Sequence, residues 1–393
     1  MFFLIAFSIY AFAYGYVGWR LISPSGLNAF MQTLAWAGIL IFMILPPFTF
    51  ASSRRRERPA WRPVLVWVTY LSMGGLNFLF FLLLFRDVTW LVFAGAQKAF
   101  ALVNGSPSLA ATILHGNRAA EFLQTTNLVV LGLAGLLLGY GVYQARRKPR
   151  VVDVTIPLQH LPEELHGLRI VQISDLHVGE TIKRKFVESV VAQVQQLAPD
   201  MIAFTGDLAD GLVSNLRDEV APLANLSARY GKFYITGNHE YYSGAEPWLA
   251  EAQRLGFTVL LNEHRILQHG NSHILIAGVP DFGAGPFIPH HDSNPALAIA
   301  NAPNADVKIL LAHQPRSIFA AAEAGFDLQL SGHTHGGQLF PWNFLVPLQQ
   351  PYVSGLHKHG NTWIYVSNGT GYWGPPIRLG APAEVTVIKL MKA

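Results

Sequence analysis

Residues 168–179 read Leu168-Arg-Ile-Val-Gln-Ile-Ser-Asp175-Leu-His177-Val-Gly, an apolar run with an aspartate and a histidine immediately after it. A short apolar run bounded by turn residues reads as a buried strand, here Leu168–Ile173. The layout then recurs. Met201–Phe204 is followed by Thr-Gly-Asp207, and Phe233–Ile235 by Thr-Gly-Asn238-His239-Glu240. Further on, Leu311-Ala-His313-Gln-Pro and Leu330-Ser-Gly-His333-Thr-His335-Gly-Gly repeat it with imidazoles. In open α/β sheets ligands bind in the crevice beyond the carboxyl ends of strands, so these polar tips are expected to meet in one place.

Working outward, the pattern from Val151 to the end is α/β. Further strands are expected at Ile274–Ala277, Val307–Leu311, Leu328–Leu330, Trp363–Val366 and Val385–Ile388. Helices are expected at Lys183–Leu197, Glu219–Arg229, Pro295–Ala300 and Arg316–Ala324. Carboxylate, carboxamide oxygen and imidazole together suit borderline divalent ions, manganese first and iron or zinc after it, better than magnesium or copper(I). Taken singly, Asp175 or Asp207 after a strand reads as a cap, and His313 as a structural histidine. It is their order and spacing together that point to metal, and His333 and His335 at alternate positions share one face of an extended segment. The chain has no cysteine, which excludes disulfides, thiolate ligands and a cysteine nucleophile.

Before residue 150 the texture is different. Of the 393 residues, 51% are hydrophobic, and the excess collects in this part. Four membrane spans of about 20 residues fit best, at about 1–20, 27–50, 64–85 and 127–145. The stretch Trp90–Val103 is short and carries Lys98, so it reads as a re-entrant or interfacial helix. Asn28, Gln32 and Asn77 read as interhelical hydrogen bonders. The formal charge of +4 is largely juxtamembrane, in Arg54, Arg55, Arg56, Arg58 and Arg62 and in Arg146, Arg147, Lys148 and Arg150. An even span count puts both clusters on one side, so a multi-pass protein of the inner membrane is expected, with the second domain facing the cytoplasm and no nucleic acid as partner. The expected domains are 1–150, helical and membranous, and 151–393.

The ordered set Asp175-x-His177, Gly-Asp207, Gly-Asn238-His239-Glu, His313 and Gly-His333-Thr-His335 is similar to that of the calcineurin-like metallophosphoesterases, over residues of about 168 to 390. The resemblance implies two mixed β-sheets sandwiched between helices and a dinuclear site. Carried over, Asp175, His177 and His335 would bind one metal, Asn238, His313 and His333 the other, and Asp207 would bridge them. His239 would be the nearby catalytic histidine that binds no ion. A hydroxide bridging the ions would hydrolyse a phosphoester or pyrophosphate bond without a covalent phosphoenzyme. The tail Asn368–Glu384, NGTGYWGPPIRLGAPAE, resembles the bacterial membrane-associated branch, some of whose members are similar to enzymes that cleave the pyrophosphate of UDP-diacylglucosamine. A phosphorylated, lipid-linked substrate and membrane lipids are therefore the expected partners. The alternatives are a soluble phosphodiester or nucleotide with the membrane part as an anchor, and a phosphate-binding signalling module without turnover.

Other residues carry open readings. Arg316 and Arg378 either grip a phosphate oxygen or pair with an acid, and Arg378 is the better candidate for structure. Phe344, Leu345, Val346, Tyr352, Tyr372 and Trp373 form an apolar rim for an acyl chain or simply pack. His290-His291 and His357-Lys-His359 read as surface loops.

Overall fold

The computed structural model describes residues 2–52, 59–104 and 117–393, so Arg54, Arg55, Arg56 and Arg58 lie outside the described residues. Its contacts divide into two units, Met1–Gly141 and Val142–Ala393.

Helices α1 (Phe2–Ile22), α2 (Ala29–Ser52), α3 (Arg62–Asn104) and α4 (Asn117–Arg146) account for the regular structure described up to residue 146. Three stretches are long and apolar enough to cross a membrane: Ala29–Ser52, Arg62–Asn104 and Ala119–Arg146. Two expectations change. Among the described residues Asn28 bonds locally and not between helices; its Oδ1 accepts from Met31 N at 3.0 Å and caps α2, while Gln32 Nε2 donates to Leu27 O at 2.9 Å. Trp90–Val103 is not a separate interfacial segment either, because α3 runs unbroken for 43 residues. At 1.5 Å per residue that is about 65 Å, roughly twice a hydrocarbon core. The charges at its middle do not interrupt it because they are paired. Asp87 accepts from Arg20 Nη2 at 2.7 Å, Arg86 Nε at 2.9 Å and the Tyr16 hydroxyl at 2.6 Å. Beyond them Trp90 stacks on Phe122 of α4, with ring centroids 4.7 Å apart, and carries the packing onward.

The second unit holds two six-stranded mixed sheets. The first contains β1 (Arg150–Leu158), β2 (Arg169–Ile173), β3 (Met201–Phe204), β4 (Lys232–Tyr234), β5 (Thr258–Val259) and β12 (Glu384–Lys392), in the order β1-β12-β2-β3-β4-β5. The other contains β6 (Glu263–His269), β7 (Ser272–Gly278), β8 (Val307–Leu311), β9 (Leu328–Ser331), β10 (Gly355–His359) and β11 (Thr362–Val366), in the order β10-β11-β9-β8-β7-β6. Ile170, Phe233, Ile276, Ile309 and Leu328 belong to one buried cluster that joins the two sheets face to face. Helices α5 (Arg184–Gln196), α6 (Val213–Val220) and α8 (Ala245–Arg254) cover the outer face of the first sheet through Val187, Val190, Leu216 and Trp248. Helices α9 (Pro295–Ile299) and α10 (Ile318–Glu323) cover the second through Ala298 and Ala321. The helix expected at Glu219–Arg229 lies earlier, because Ala221–Asn225, with Pro222 at its start, tightens into a 3₁₀ turn. His357 and His359 belong to strand β10 and not to a loop, whereas of the other pair His290 is exposed and His291 is buried with its Nδ1 2.9 Å from the Tyr241 hydroxyl.

Register is what positions the polar tips. Strands β2, β3 and β4 are parallel, with Ile173 opposite Phe204 and Phe204 opposite Tyr234, and β8 and β9 are parallel with Leu311 opposite Leu330. All five therefore end level, and the turns after them share one edge. Ile309 fills the inter-sheet core two residues from the end of β8. Ile309→Ala should cost about 2–5 kcal/mol, read from denaturant unfolding of the detergent-purified chain.

Candidate metal centre

Asp175 and His177 lie in the turn after β2, Asp207 after β3, and Asn238 and His239 at the start of α7 (Asn238–Ser243), just after β4. His313 follows β8, and His333 and His335 follow β9. The turns are tight. Asp175, His177, Asp207, His333 and His335 all adopt positive φ, between 50° and 72°. Side chains other than glycine rarely take up this region, at about 1–3 kcal/mol each, and the surroundings must hold them there. A Cβ on Gly237 would collide with Asp207 Oδ1, and one on Gly332 with Asp175 Oδ2, so both glycines are required by close approach.

The structure brings the eight residues singled out from sequence to one edge. Ligand atoms of Asp175, His177 and His335 lie within 4.8 Å of one another, as do those of Asp207, His313 and His333. His177 Nε2 is 3.0 Å from His335 Nε2 and 3.6 Å from Asp207 Oδ2. That same Asp207 oxygen is 3.2 Å from His313 Nε2. Asn238 Oδ1 is 3.0 Å from His333 Nδ1, which joins it to the second group. His239 stands beside both, its ring centroid 4.6 Å from that of His177.

The donor set fits divalent cations on its own chemistry. His313 Nδ1 donates to Thr205 O at 2.8 Å, so Nε2 is the ring atom that would take a cation. That Nε2 is buried and has no hydrogen bond. His177 is arranged alike, with Nδ1 donating to Asp210 Oδ1 at 2.9 Å and Nε2 turned toward His335. Nε2 of His313 and of His177 both face Asp207 Oδ2, at 3.2 and 3.6 Å, a donor set that a divalent cation would complete.

Electrostatics follow from the crowding. Burial works against the charge of Asp207, but His313 and His239 outweigh it and hold the carboxyl well below its usual range. Burial pushes Asp175 up. Burial, then the charge of His313, lowers His333 to about 3, and burial with His177 and Arg378 holds His335 well below the ordinary imidazole value. Both rings are therefore neutral, the form that binds metals. Although burial opposes it, Asp207 and Asp210 raise His239 to about 9.

Two residues were not singled out from sequence. Asp210 Oδ1 takes His177 Nδ1 and, at 2.7 Å, His239 Nδ1, fixing both rings at once. Its only signal is its position three residues after Asp207. Glu240, quoted in the third motif, accepts from Asp207 N at 3.0 Å, Leu208 N at 2.8 Å and Gly237 N at 2.7 Å, joining the turns after β3 and β4. Burial and the neighbouring Asp207 raise its carboxyl to about 7. Arg378 is structural: it is 1% exposed and donates to the carbonyls of Ala381 at 2.8 Å, Asn368 at 2.8 Å and Gly371 at 2.9 Å.

A centre of this form invites comparison with known proteins. The sequence profile described as calcineurin-like phosphoesterase matches residues 168–337. A transmembrane protein with metallophosphoesterase domain from Danio rerio is 36% identical over 83% of this chain and 74% of its own length. The chain belongs to the calcineurin-like phosphoesterase family. An uncharacterized metallophosphoesterase of Helicobacter pylori strain J99 is 40% identical over 67% of this chain and 71% of its own, and the Bos taurus transmembrane protein with metallophosphoesterase domain is 35% identical over 77% and 70%. This phosphoesterase is thus a metal-dependent hydrolase of phosphoester bonds, associated with membranes through its apolar helices.

Because Asp210 orients two rings at once, Asp210→Ala should lower activity or metal affinity about 10–100-fold with little change in melting temperature. Metal titration of the stripped protein beside a turnover assay measures both.

Proposed function

We propose that this phosphoesterase uses two divalent cations, manganese by preference, to hydrolyse a phosphoester or pyrophosphate bond of a lipid-linked substrate. The observation that carries the dinuclear reading is the shared oxygen of Asp207, Oδ2, within 3.6 Å of His177 Nε2 and 3.2 Å of His313 Nε2. Asp175, His177 and His335 would hold one ion, Asn238, His313 and His333 the other, and Asp207 both. When bound, such a pair lowers the pKa of water and offsets the charge that grows on a phosphoryl group during in-line displacement.

The chain's own residues do the rest. Asp210 engages Nδ1 of His239 at 2.7 Å, which leaves Nε2 as the ring atom that can give a proton to the leaving oxygen. Glu240 keeps the Asp207 turn from relaxing, so the carboxylate is in place before substrate arrives. Support for a lipid-linked substrate comes from the loop after His335. There Phe340, Trp342, Phe344, Leu345 and Leu348 are between 42% and 83% exposed, and Trp373 beside His239 is 53% exposed. A cavity of about 420 Å³ opens among Gly336, Phe340, Phe344 and Leu379. Solvated aromatic and aliphatic groups packed this closely suit an acyl chain or the headgroup boundary of a bilayer. Of the six residues read as either an apolar rim or ordinary packing, Tyr372 is buried and belongs to the core.

The first test strips the full-length protein with chelator, restores manganese and assays bis-p-nitrophenyl phosphate. Activity should vanish and return, with two ions per chain by elemental analysis; a replete protein holding none would sink the proposal. Asp207→Ala should lose both ions and turnover, whereas His239→Ala should keep its ions and lose about 10²–10⁴ in kcat.

With α1 counted as a fourth span, both chain ends lie on the cytoplasmic side of the inner membrane. A phosphatase reporter fused after Lys148, active only outside the cytoplasm, should be silent; a signal from it would reverse the orientation.

A further inference from the structure

Beside the metal centre lies a cavity of about 310 Å³ whose lining includes Asn238 and His333 together with Arg316. Its wall is rigid. Asp281 is fully buried, with its oxygens taken by Gln314 Nε2 at 3.2 and 3.0 Å and by Gly283 N at 2.8 Å. Gln350 Nε2 donates to Gln314 Oε1 at 3.0 Å, and Gln350 Oε1 accepts from the backbone N of Arg316 at 3.1 Å. The chain of contacts fixes the backbone from which Arg316 projects, and it occupies Asp281, which therefore acts as an anchor and not as a free surface charge.

Arg316 itself is different. Its guanidinium lies over the Phe282 ring, 4.8 Å from the centroid, and among the described residues no carboxylate comes within 4.0 Å of it. Arg217 and Arg254, by contrast, share Glu251. A half-buried guanidinium held over an aromatic ring, with no carboxylate partner, retains donors that can bind phosphate oxygens in pairs. The phosphorus under attack would be served by the centre at Asn238 and His333, which line the same cavity as Arg316. A substrate with two linked phosphates can present one to the centre and the other to this guanidinium.

We propose that Arg316 binds the second phosphate of a substituted pyrophosphate, which makes the P–O–P bridge the scissile bond. The inference rests on the phosphoesterase reading above and narrows its substrate to pyrophosphate diesters. Water adds through oxygen to the phosphorus at the metal centre, and the bridging P–O bond breaks with its electron pair leaving on the phosphate held by Arg316. The hydroxyl of the water stays on the attacked phosphorus and its other proton goes to the leaving oxygen, giving two monoesters. Arg316 is a positioning residue for the leaving phosphate.

The test compares diphenyl pyrophosphate, with one phenyl on each phosphorus, against bis-p-nitrophenyl phosphate, using manganese-loaded full-length protein. Arg316→Gln should lower the ratio of kcat/KM for the pyrophosphate to that for the monophosphate about 30-fold, chiefly through KM, as loss of a charge-assisted contact does. Arg316→Lys should recover part of the ratio, and the melting temperature should match the parent's. An equal loss on both substrates, an unchanged ratio, or a wild type that cleaves bis-p-nitrophenyl phosphate but not the pyrophosphate overturns the inference while leaving the phosphoesterase reading in place. If loaded wild type cleaves neither, that reading falls as well.

Discussion

The structure turns on keeping the charge of Asp207 where only 2% of the residue meets solvent. A carboxylate taken out of water at this depth is held only by strong compensation. Here it comes from His313, His239 and His177 around the oxygens, and from the His239 amide, which donates to Oδ1 at 2.9 Å. Those groups come from three different turns, after β2, β4 and β8, so the carboxylate ties the two sheets together at their common edge. Removing any contributor leaves the others as an excess of buried charge, which explains why so much neighbouring structure is committed to fixing them.

That commitment is visible one layer out. Asp175 is locked by Ser174 Oγ at 2.5 Å and the His333 amide at 3.0 Å, and the His333 segment is pinned in turn when Gly332 N donates to His313 O at 3.0 Å. Glu240 and Asp210 do the same for the first sheet's turns, each bridging segments about thirty residues apart. The inter-sheet core below supplies the stiffness, since level strand ends translate directly into level turns. The site is consequently a property of register as much as of the named side chains, and a slip of one residue in β3 would turn Asp207 to the opposite face.

The strand-then-acid motifs were legible because a buried parallel strand writes itself as an unbroken apolar run, and Val307–Leu311 matches β8 residue for residue. What the motifs could not disclose was the second layer: nothing in Leu-Ala-Asp210 distinguishes a residue that turns back onto His177 and His239 from a solvated turn aspartate. Strand β1 was hidden because its outer half is exposed and begins within the juxtamembrane basic run, so Arg150 read as a topology signal. Strands β6 and β10 were missed for the related reason that they are half-solvated and rich in histidine and charge. The unbroken course of α3 was obscured by Arg86 and Asp87, whose pairing with Arg20 on another helix cannot be read from local hydropathy. Arg316 and Arg378 look alike in sequence, and only burial separates a carbonyl-bonded strut from a cation facing a cavity.

The five left-handed residues of the centre have a consequence for how this protein can change. Glycine at His333 or His335, whose rings are neutral, would relax the backbone without stranding a buried charge, so a substitution ruinous to the centre is one the fold would welcome. Robustness and catalysis therefore pull in opposite directions at the same atoms. A lineage released from the need to hydrolyse its substrate would be expected to lose these residues first and to become sturdier as it did.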